Sequence, residues 1–192
     1  MTVPAFAYAI DPLNPQHNRA DFQCGIAALD RYLREQARQD MRRLIAAPFV
    51  LYDKDNGRIA GYYTLAATAI QLEDLPPELT KRLPKYPLLP ATLLGRLAVD
   101  ERYQGQGLGT FLLFDALQRS LVSEIASMAV VVDAKDDRAS AFYKPHSGIA
   151  NRYSASPMRV KAAHFLGVLG YCSFSLSIAW RKDWALSPVC FS

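Results

Sequence analysis

The run Leu93–Ser123, LLGRLAVDERYQGQGLGTFLLFDALQRSLVS, constrains this chain more than any other stretch. Leu93 to Val99 reads as a buried strand, Asp100–Tyr103 as a turn, Gln104–Gly109 as a glycine-rich loop, and the remainder as an amphipathic helix. Gly105, Gly107 and Gly109 alternate, which allows close backbone approach and dihedral angles that side chains resist. The helix start adds unpaired N–H groups and the positive end of its dipole. A strand that feeds such a loop into a helix is an anion cradle, most often for phosphate. Two familiar cradles do not fit. A P-loop needs a Gly-Lys pair that is absent here, and a dinucleotide fingerprint spaces its glycines G-x-G-x-x-G, whereas these run G-x-G-x-G.

At 192 residues one domain is the default, with chain enough for a sizeable core. The net charge of +4 is unevenly placed: residues 138–192 carry seven Lys/Arg against one acid, residues 1–137 fifteen against seventeen. That bias permits a nucleic-acid partner without requiring one. Three scattered cysteines, Cys24, Cys172 and Cys190, point to reduced thiols in a cytoplasm. No His/Cys cluster has zinc spacing, so no metal is expected. The start, MTVPAFAYAI, lacks the basic and long apolar regions of a signal peptide.

Along the chain, Ala5–Ile10 reads as a first strand closed by Asp11 and Pro12. Ile26, Leu29, Tyr32, Leu33 and Ala37 recur at helical spacing and predict a helix from about Ile26 to Arg43. Its arginines (Arg31, Arg34, Arg38, Arg42, Arg43) fit a solvated face or part of a basic surface for an RNA end. Pro48–Tyr52 and Ile59–Ala67 read as strands joined by the turn Asp53–Gly57. Residues 74–91, with five prolines, read as a loop around one short helix. Ala126–Asp133 is apolar on both faces and reads as an interior strand, and Asp137–Tyr143 opens another helix.

Seven short motifs now fall in one order: Phe22-x-Cys-Gly-x-x-x-Leu29-Asp30-x-Tyr-Leu, Gly61-Tyr-Tyr-Thr-Leu65, Leu83-Pro-x-Tyr-Pro87, Leu94-Gly-Arg-Leu-Ala-Val-Asp100, Gln104-x-x-Gly107-x-Gly109, Val131-Val-Asp-Ala134 and Ala139-x-Ala-Phe-Tyr143. Over residues 5 to about 160 the chain resembles the GNAT-fold N-acetyltransferases, and more narrowly the TacT-type toxins of bacterial type II toxin–antitoxin systems. The fold this implies is a single-domain α/β (α+β) unit, a mixed central sheet splayed at the acetyl-CoA site and flanked by helices.

The resemblance implies that the strand carrying Leu97, Ala98 and Val99 splays from that of Val130–Asp133, and that the pantetheine of acetyl-CoA pairs with backbone in the gap. It implies a pyrophosphate on the amides of Gln104, Gly105, Gln106, Gly107, Leu108, Gly109 and Thr110, with Phe142 also at the cofactor. Tyr143 matches the family tyrosine beside the thioester sulfur; a phenol at about 10 facing a thiol at about 8.5 can donate to the leaving thiolate. No Glu or His stands out as a base. That favours an α-amine, at about 7.7–8.0 and lower in an ester, over a lysine amine at about 10.4. The implied substrate is the amino acid on charged tRNA, whose acetylation blocks translation. Arg42, Arg43, Lys85 and Arg96 are candidate RNA contacts, although Arg96 fits a structural ion pair equally well. The implied partners are aminoacyl-tRNA, a ribbon–helix–helix antitoxin and a second copy in a homodimer, with no metal and no membrane. Two other readings stay open: a GNAT enzyme acting on a small-molecule or protein amine, and a catalytically impaired GNAT-fold binding module.

The pattern changes after Tyr143. Lys144-Pro-His-Ser-Gly-Ile149 stands where the family has a Gly-Phe pair, and Pro145 ends the helix early. Residues 1–160 are expected to form the acetyltransferase domain and 161–192 a divergent segment. Residues 162–180 hold no Asp, Glu, Lys or Arg, a length that could span a membrane. Their glycines, serines and His164 make a poor lipid-facing helix.

Overall fold

The computed structural model describes residues 7–143, apart from 76, 82 and 135, together with the backbone of 160–165. Six strands among them form one sheet in chain order: β1 (Tyr8–Pro12), β2 (Ala47–Asp53), β3 (Ile59–Gln71), β4 (Leu88–Val99), β5 (Ala129–Ala134) and β6 (Val160–Phe165). Neighbours are antiparallel except β4 and β5, which run parallel. A parallel pair needs a crossover, and the helix α4 (Leu108–Leu121) supplies it. The other helices are α1 (Ala27–Arg31), α2 (Ala37–Arg42), α3 (Pro77–Thr80) and α5 (Asp137–Tyr143). A π-helical turn, Tyr32–Gln36, joins α1 to α2.

The sheet separates two cores. On one face Phe22, Tyr32, Leu33 and Ala37 pack against Val50, Ile59, Tyr62 and Ala98. On the other, Leu108, Leu112, Leu113 and Ala116 of α4 pack against Leu51, Ala60, Tyr63, Leu94, Val130 and Val132. Successive side chains on a strand point to opposite faces, which sorts Tyr62 and Tyr63 into different cores. Gly61 sits where α4 comes closest to the sheet. A Cβ there would stand 2.8 Å from Leu112 Cδ1 and 2.9 Å from the Ala98 carbonyl oxygen.

Several boundaries differ from the sequence reading. β1 starts at Tyr8 and includes Asp11 and Pro12; as an edge strand it tolerates a proline, and positions 1–6 lie outside the described residues. β3 and β4 each continue well beyond the expected strand, to Gln71 and back to Leu88, so the proline-rich loop is shorter than predicted. Pro90 is accommodated because its carbonyl accepts from Met128 N–H at 2.9 Å. Its missing N–H therefore faces β5 just before that ladder begins at Ala91. β6 crosses the position where the sequence pattern changes, pairing Val160 through Phe165 with Ala134 through Ala129. Among the described residues no helix is long and apolar enough to cross a membrane. Residues 166–180 of the uncharged run lie outside the described residues.

Because one of the two atoms crowding Gly61 is backbone, Gly61→Ala cannot be relieved by a rotamer change alone. It should lower the unfolding free energy by about 1–3 kcal/mol. The measurement is a lower urea midpoint at unchanged slope.

Candidate active site

β4 holds β5 only from Ala91 to Leu94, opposite Ala129 to Val132. A bulge follows: Thr64 of β3 pairs with Arg96 and Leu65 with Leu94, leaving Gly95 as the extra residue. From Arg96 to Val99, β4 is laddered to β3 alone. Asp100 N–H donates to the Ala60 carbonyl at 2.9 Å. By the two-residue alternation, the backbone groups of Leu97 and Val99 therefore face the parting, and those of Ala98 face β3. Gln104 Nε2 donates to the Val99 carbonyl at 3.0 Å and to the Cys24 carbonyl at 3.2 Å. This ties the far end of β4 to the segment that leads into α1.

The turn between β4 and the loop is locked by a buried carboxylate. Asp100, fully buried, accepts from Gln23 N–H at 3.0 Å, from Arg102 N–H at 3.0 Å, and from Arg102 Nε and Nη2 at 2.8 Å each. Arg102 Nη2 also donates to the Asp21 carbonyl at 2.8 Å. Burial raises the Asp100 pKa, but the bonds from Arg102 and Gln23 outweigh it and hold the carboxyl below its ordinary value. Beyond the turn, Gly105 and Gly107 take φ values of +75° and +81°, in the left-handed region where side chains are strained. Gly107 is the N-cap of α4 and offers no side-chain cap. The first helical bond runs from Phe111 N–H to the Gly107 carbonyl. The amides of Leu108, Gly109 and Thr110 therefore have no acceptor within the helix. The loop Gln104–Gly109 has no charged side chain, so an anion there would be held by amides and the helix dipole.

α5 closes the arrangement. A Cβ on Gly109 would lie 3.4 Å from Phe142 Cε2, so that ring covers the start of α4. Phe142 and Tyr143 meet edge-to-face at 5.0 Å, and both pack on the α4 core together with Leu97 and Val99. Burial pushes the Tyr143 phenol up to about 12, so the group stays protonated through the neutral range.

The four cations proposed for RNA separate. Arg42 and Arg43 are exposed at the end of α2, and Lys85 is exposed ahead of β4. Of the four, Arg96 stands on β4 where it leaves β5. It is half-buried, with its guanidinium carbon 3.6 Å from the centroid of the Tyr32 ring. The ion pairs among the described residues are Asp100–Arg102 and Asp115–Arg119. The structural ion pair considered for Arg96 is therefore replaced by an aromatic contact. No His, Cys, Asp or Glu group able to hold a metal occurs among the described residues. A hollow of about 530 Å³ lies at the other end of β4, lined by Gln71, Leu72, Glu73, Thr80, Pro87 and Leu88. It brings no titratable pair together and is remote from the loop.

Sequence reasoning missed the bulge at Gly95, the Asp100–Arg102 lock and the place of Tyr32. A glycine inside an otherwise apolar strand run was the available signal for the first. The Asp100–Arg102 pair is two residues apart in the sequence, but what it locks, the backbone of Asp21 and Gln23, is distant, as is the contact that places Tyr32.

An edge that can pair with an extended thioester arm, next to amides that can take its phosphates, marks the class of acyltransferases that draw on acyl-CoA. The chain belongs to the acetyltransferase (GNAT) family, whose sequence profile matches residues 16–147. It is similar to a probable toxin TacT of Sinorhizobium fredii, 31% identical over 127 residues, 65% of this chain and 70% of that one. A tRNA-acetylating toxin of Mycobacterium tuberculosis is 37% identical over 124 residues, 64% of this chain and 72% of that one. Among solved structures, AtaT complexed with acetyl-methionyl-tRNAfMet aligns with a TM-score of 0.71 at 27% identity, over 83% of this chain and 94% of that one.

Two outcomes test the site as built. A Cβ on Gly107 meets nothing within 4 Å, so Gly107→Val acts through backbone strain at the cradle. Acetyl-CoA affinity should fall at least tenfold, about 1.4 kcal/mol, by calorimetry. For Asp100, the folded pKa lies below the unfolded one. Its stabilisation is complete above about pH 4 and is lost as pH falls through the folded value. Thermal melts should therefore show the gap between wild type and Asp100→Asn widest at neutral pH and closing in acid.

Proposed function

We propose that this chain is an acetyl-CoA-dependent N-acetyltransferase toxin that acetylates the α-amine of the amino acid on charged tRNA and so blocks translation. The observation that carries the acetyl-transfer part is the parting of β4 from β5 beyond Gly95, with Tyr143, Leu97 and Val99 packed against the same α4 core. The choice of substrate is supported by the similarity to the tRNA-acetylating toxin and to AtaT. Residues 1–160 form the acetyltransferase domain in this reading, and 161–192 an appended segment. The partner that neutralises it is a ribbon–helix–helix antitoxin, and the active form is a homodimer.

Acetyl-CoA is the donor substrate. Leu97 and Val99 pair with its extended arm through their main chain, and the amides of Gln104 through Thr110 take its pyrophosphate. The amine nitrogen attacks the thioester carbonyl, the N–C bond forms and the C–S bond breaks. The amine loses one proton in becoming an amide, and the leaving thiolate gains one. A phenol at about 12 is a weaker acid than a thiol at about 8.5. Outright donation by Tyr143 alone would be uphill by roughly 5 kcal/mol. Tyr143 therefore serves by donating a hydrogen bond to the developing thiolate, while the amine closes the proton count. That is a narrower role than the acid expected from ordinary pKa values. No base is required for an α-amine near pH 7.5, because a useful fraction is already neutral.

Tyr143→Phe keeps the ring and removes the donor. It should lower the rate of acetylation of total charged tRNA from labelled acetyl-CoA about 10²-fold or more, with acetyl-CoA affinity within twofold of wild type. Because the phenol titrates far above neutrality, kcat/KM should rise with pH to a plateau set by the substrate amine, at about 7–8. That midpoint should be the same in Tyr143→Phe. Wild-type rates in the variant would remove Tyr143 from the mechanism, and acetylation of polyamines but not charged tRNA would replace the substrate.

A further inference from the structure

Arg96 is placed in an unusual way for a half-buried cation. Its strand position follows the Gly95 bulge, on the stretch of β4 beyond the last residue paired with β5. The main-chain alternation sends Leu97 and Val99 to the α4–α5 core, and Ala98 to the core under α1 and α2. Arg96 shares the Ala98 face, so it stands on the side of the sheet opposite Tyr143. Arg96 and Tyr143 therefore belong to opposite faces of the sheet, on either side of the strand that parts from β5.

A cation taken partly out of water is ordinarily neutralised by a carboxylate. Here the partner is the flat face of Tyr32, with the guanidinium carbon 3.6 Å from the ring centroid. Such a contact holds the guanidinium plane but consumes none of its five N–H donors. Among the described residues Arg96 forms no ion pair. Tyr32 in turn is fixed from below. It is 2% exposed, stacks on Tyr62 with planes 19° apart, and Tyr62 is pinned by its O–H to the Leu29 carbonyl at 2.9 Å. Tyr32 opens the π-helical turn, whose wider winding sets where its ring falls relative to β4. Its own hydroxyl is buried, makes no hydrogen bond of ordinary geometry and has the Asp40 carboxylate as its polar neighbour.

We propose that Arg96 is the residue that receives an anionic or carbonyl oxygen of the acceptor substrate at the mouth of the parting, and that Tyr32 is the positioning residue that aims its free N–H donors there. This rests on the acetyl-transfer reading above and assigns the face from which the acceptor arrives: the α1–α2 side, which also carries Arg31, Arg34 and Arg38. The ligand chemistry is a phosphodiester or ester oxygen near the reacting amine, as the end of a charged RNA presents. A lysine cannot substitute, because a point-charge ammonium neither lies flat on the ring nor offers a planar fork.

Steady-state kinetics with charged tRNA, together with acetyl-CoA binding by calorimetry, test this. Arg96→Lys should raise KM for charged tRNA by about tenfold, the loss of one charge-assisted hydrogen bond, with the acetyl-CoA dissociation constant unchanged. Tyr32→Leu should raise the same KM, and Tyr32→Phe, which keeps the ring, should recover most of the loss. A merely structural role for the pair would instead lower the melting temperature and weaken acetyl-CoA binding without a selective change in KM. A wild-type KM in Arg96→Lys, or equal losses for acetyl-CoA and tRNA, overturns the proposal. If wild-type protein acetylates no charged tRNA, the substrate assignment fails separately. Filter retention of uncharged tRNA then decides: weaker retention by Arg96→Gln than by wild type supports the anion-receiving role, and equal retention overturns it.

Discussion

A strand can satisfy two neighbours only while all three keep step, and β4 cannot keep step with β3 and β5 along its whole length. It is antiparallel to one and parallel to the other. The extra residue at Gly95 bends it where the two registers separate. Everything functional in the structure depends on that divergence. It leaves main-chain groups of Leu97 and Val99 facing a space instead of a strand, and it brings the end of β4 to the loop that starts α4. Arg96, on the stretch that has left β5, and Tyr143 belong to opposite faces of the sheet. A straight β4 would have produced a closed sheet with a glycine-rich turn at its end, and no site.

An open edge inside a protein has to be kept open, and two side-chain networks do this from either end. Asp100 and Arg102 bind the turn after β4 to the backbone of Asp21 and Gln23, and Gln104 adds Cys24. On the far side of the sheet, Asp115 of α4 accepts from the Tyr63 hydroxyl and from Arg119 Nε. Arg119 lies over the Phe49 ring and reaches the Ile10 carbonyl. The helix whose N-terminus forms the cradle is thereby fixed to β1, β2 and β3. Gly61 lets that helix lie low enough for the network to form. The parting is thus a consequence of where rigid pieces are fastened, with little left to the loop itself.

Much of this was legible in the chain. The strand–loop–helix unit was readable because each part has a local signature: an apolar run, alternating glycines, and apolar positions at 108, 112, 113 and 116. The order of the elements followed from periodicity, and the family followed from seven motifs in sequence. Edges were less legible. β3 and β4 run longer than their apolar runs because pairing with each other stabilises residues of weak strand preference, Gln71 and Pro90 among them. The single helix expected over Ile26–Arg43 contains a π turn, since one widened turn leaves the spacing of apolar residues nearly unchanged. The role of Arg96 was open between an RNA contact and an ion pair, and its stack on Tyr32 was not legible from either. A ring and a guanidinium more than sixty positions apart are brought together only by the fold.

The part of the site that faces the parting is written in main-chain atoms, which carries an evolutionary consequence. A mutation can exchange Leu97 or Val99 for another apolar residue and leave the amide and carbonyl they present unaltered. Selection on catalysis then acts on the backbone path, while residue identity there is free to drift. Substitution is constrained by the fold at a few places: the left-handed glycines of the loop, the bulge at Gly95 and the lock at Asp100. Such a chain can change across most of its length without losing the main-chain groups that face the parting.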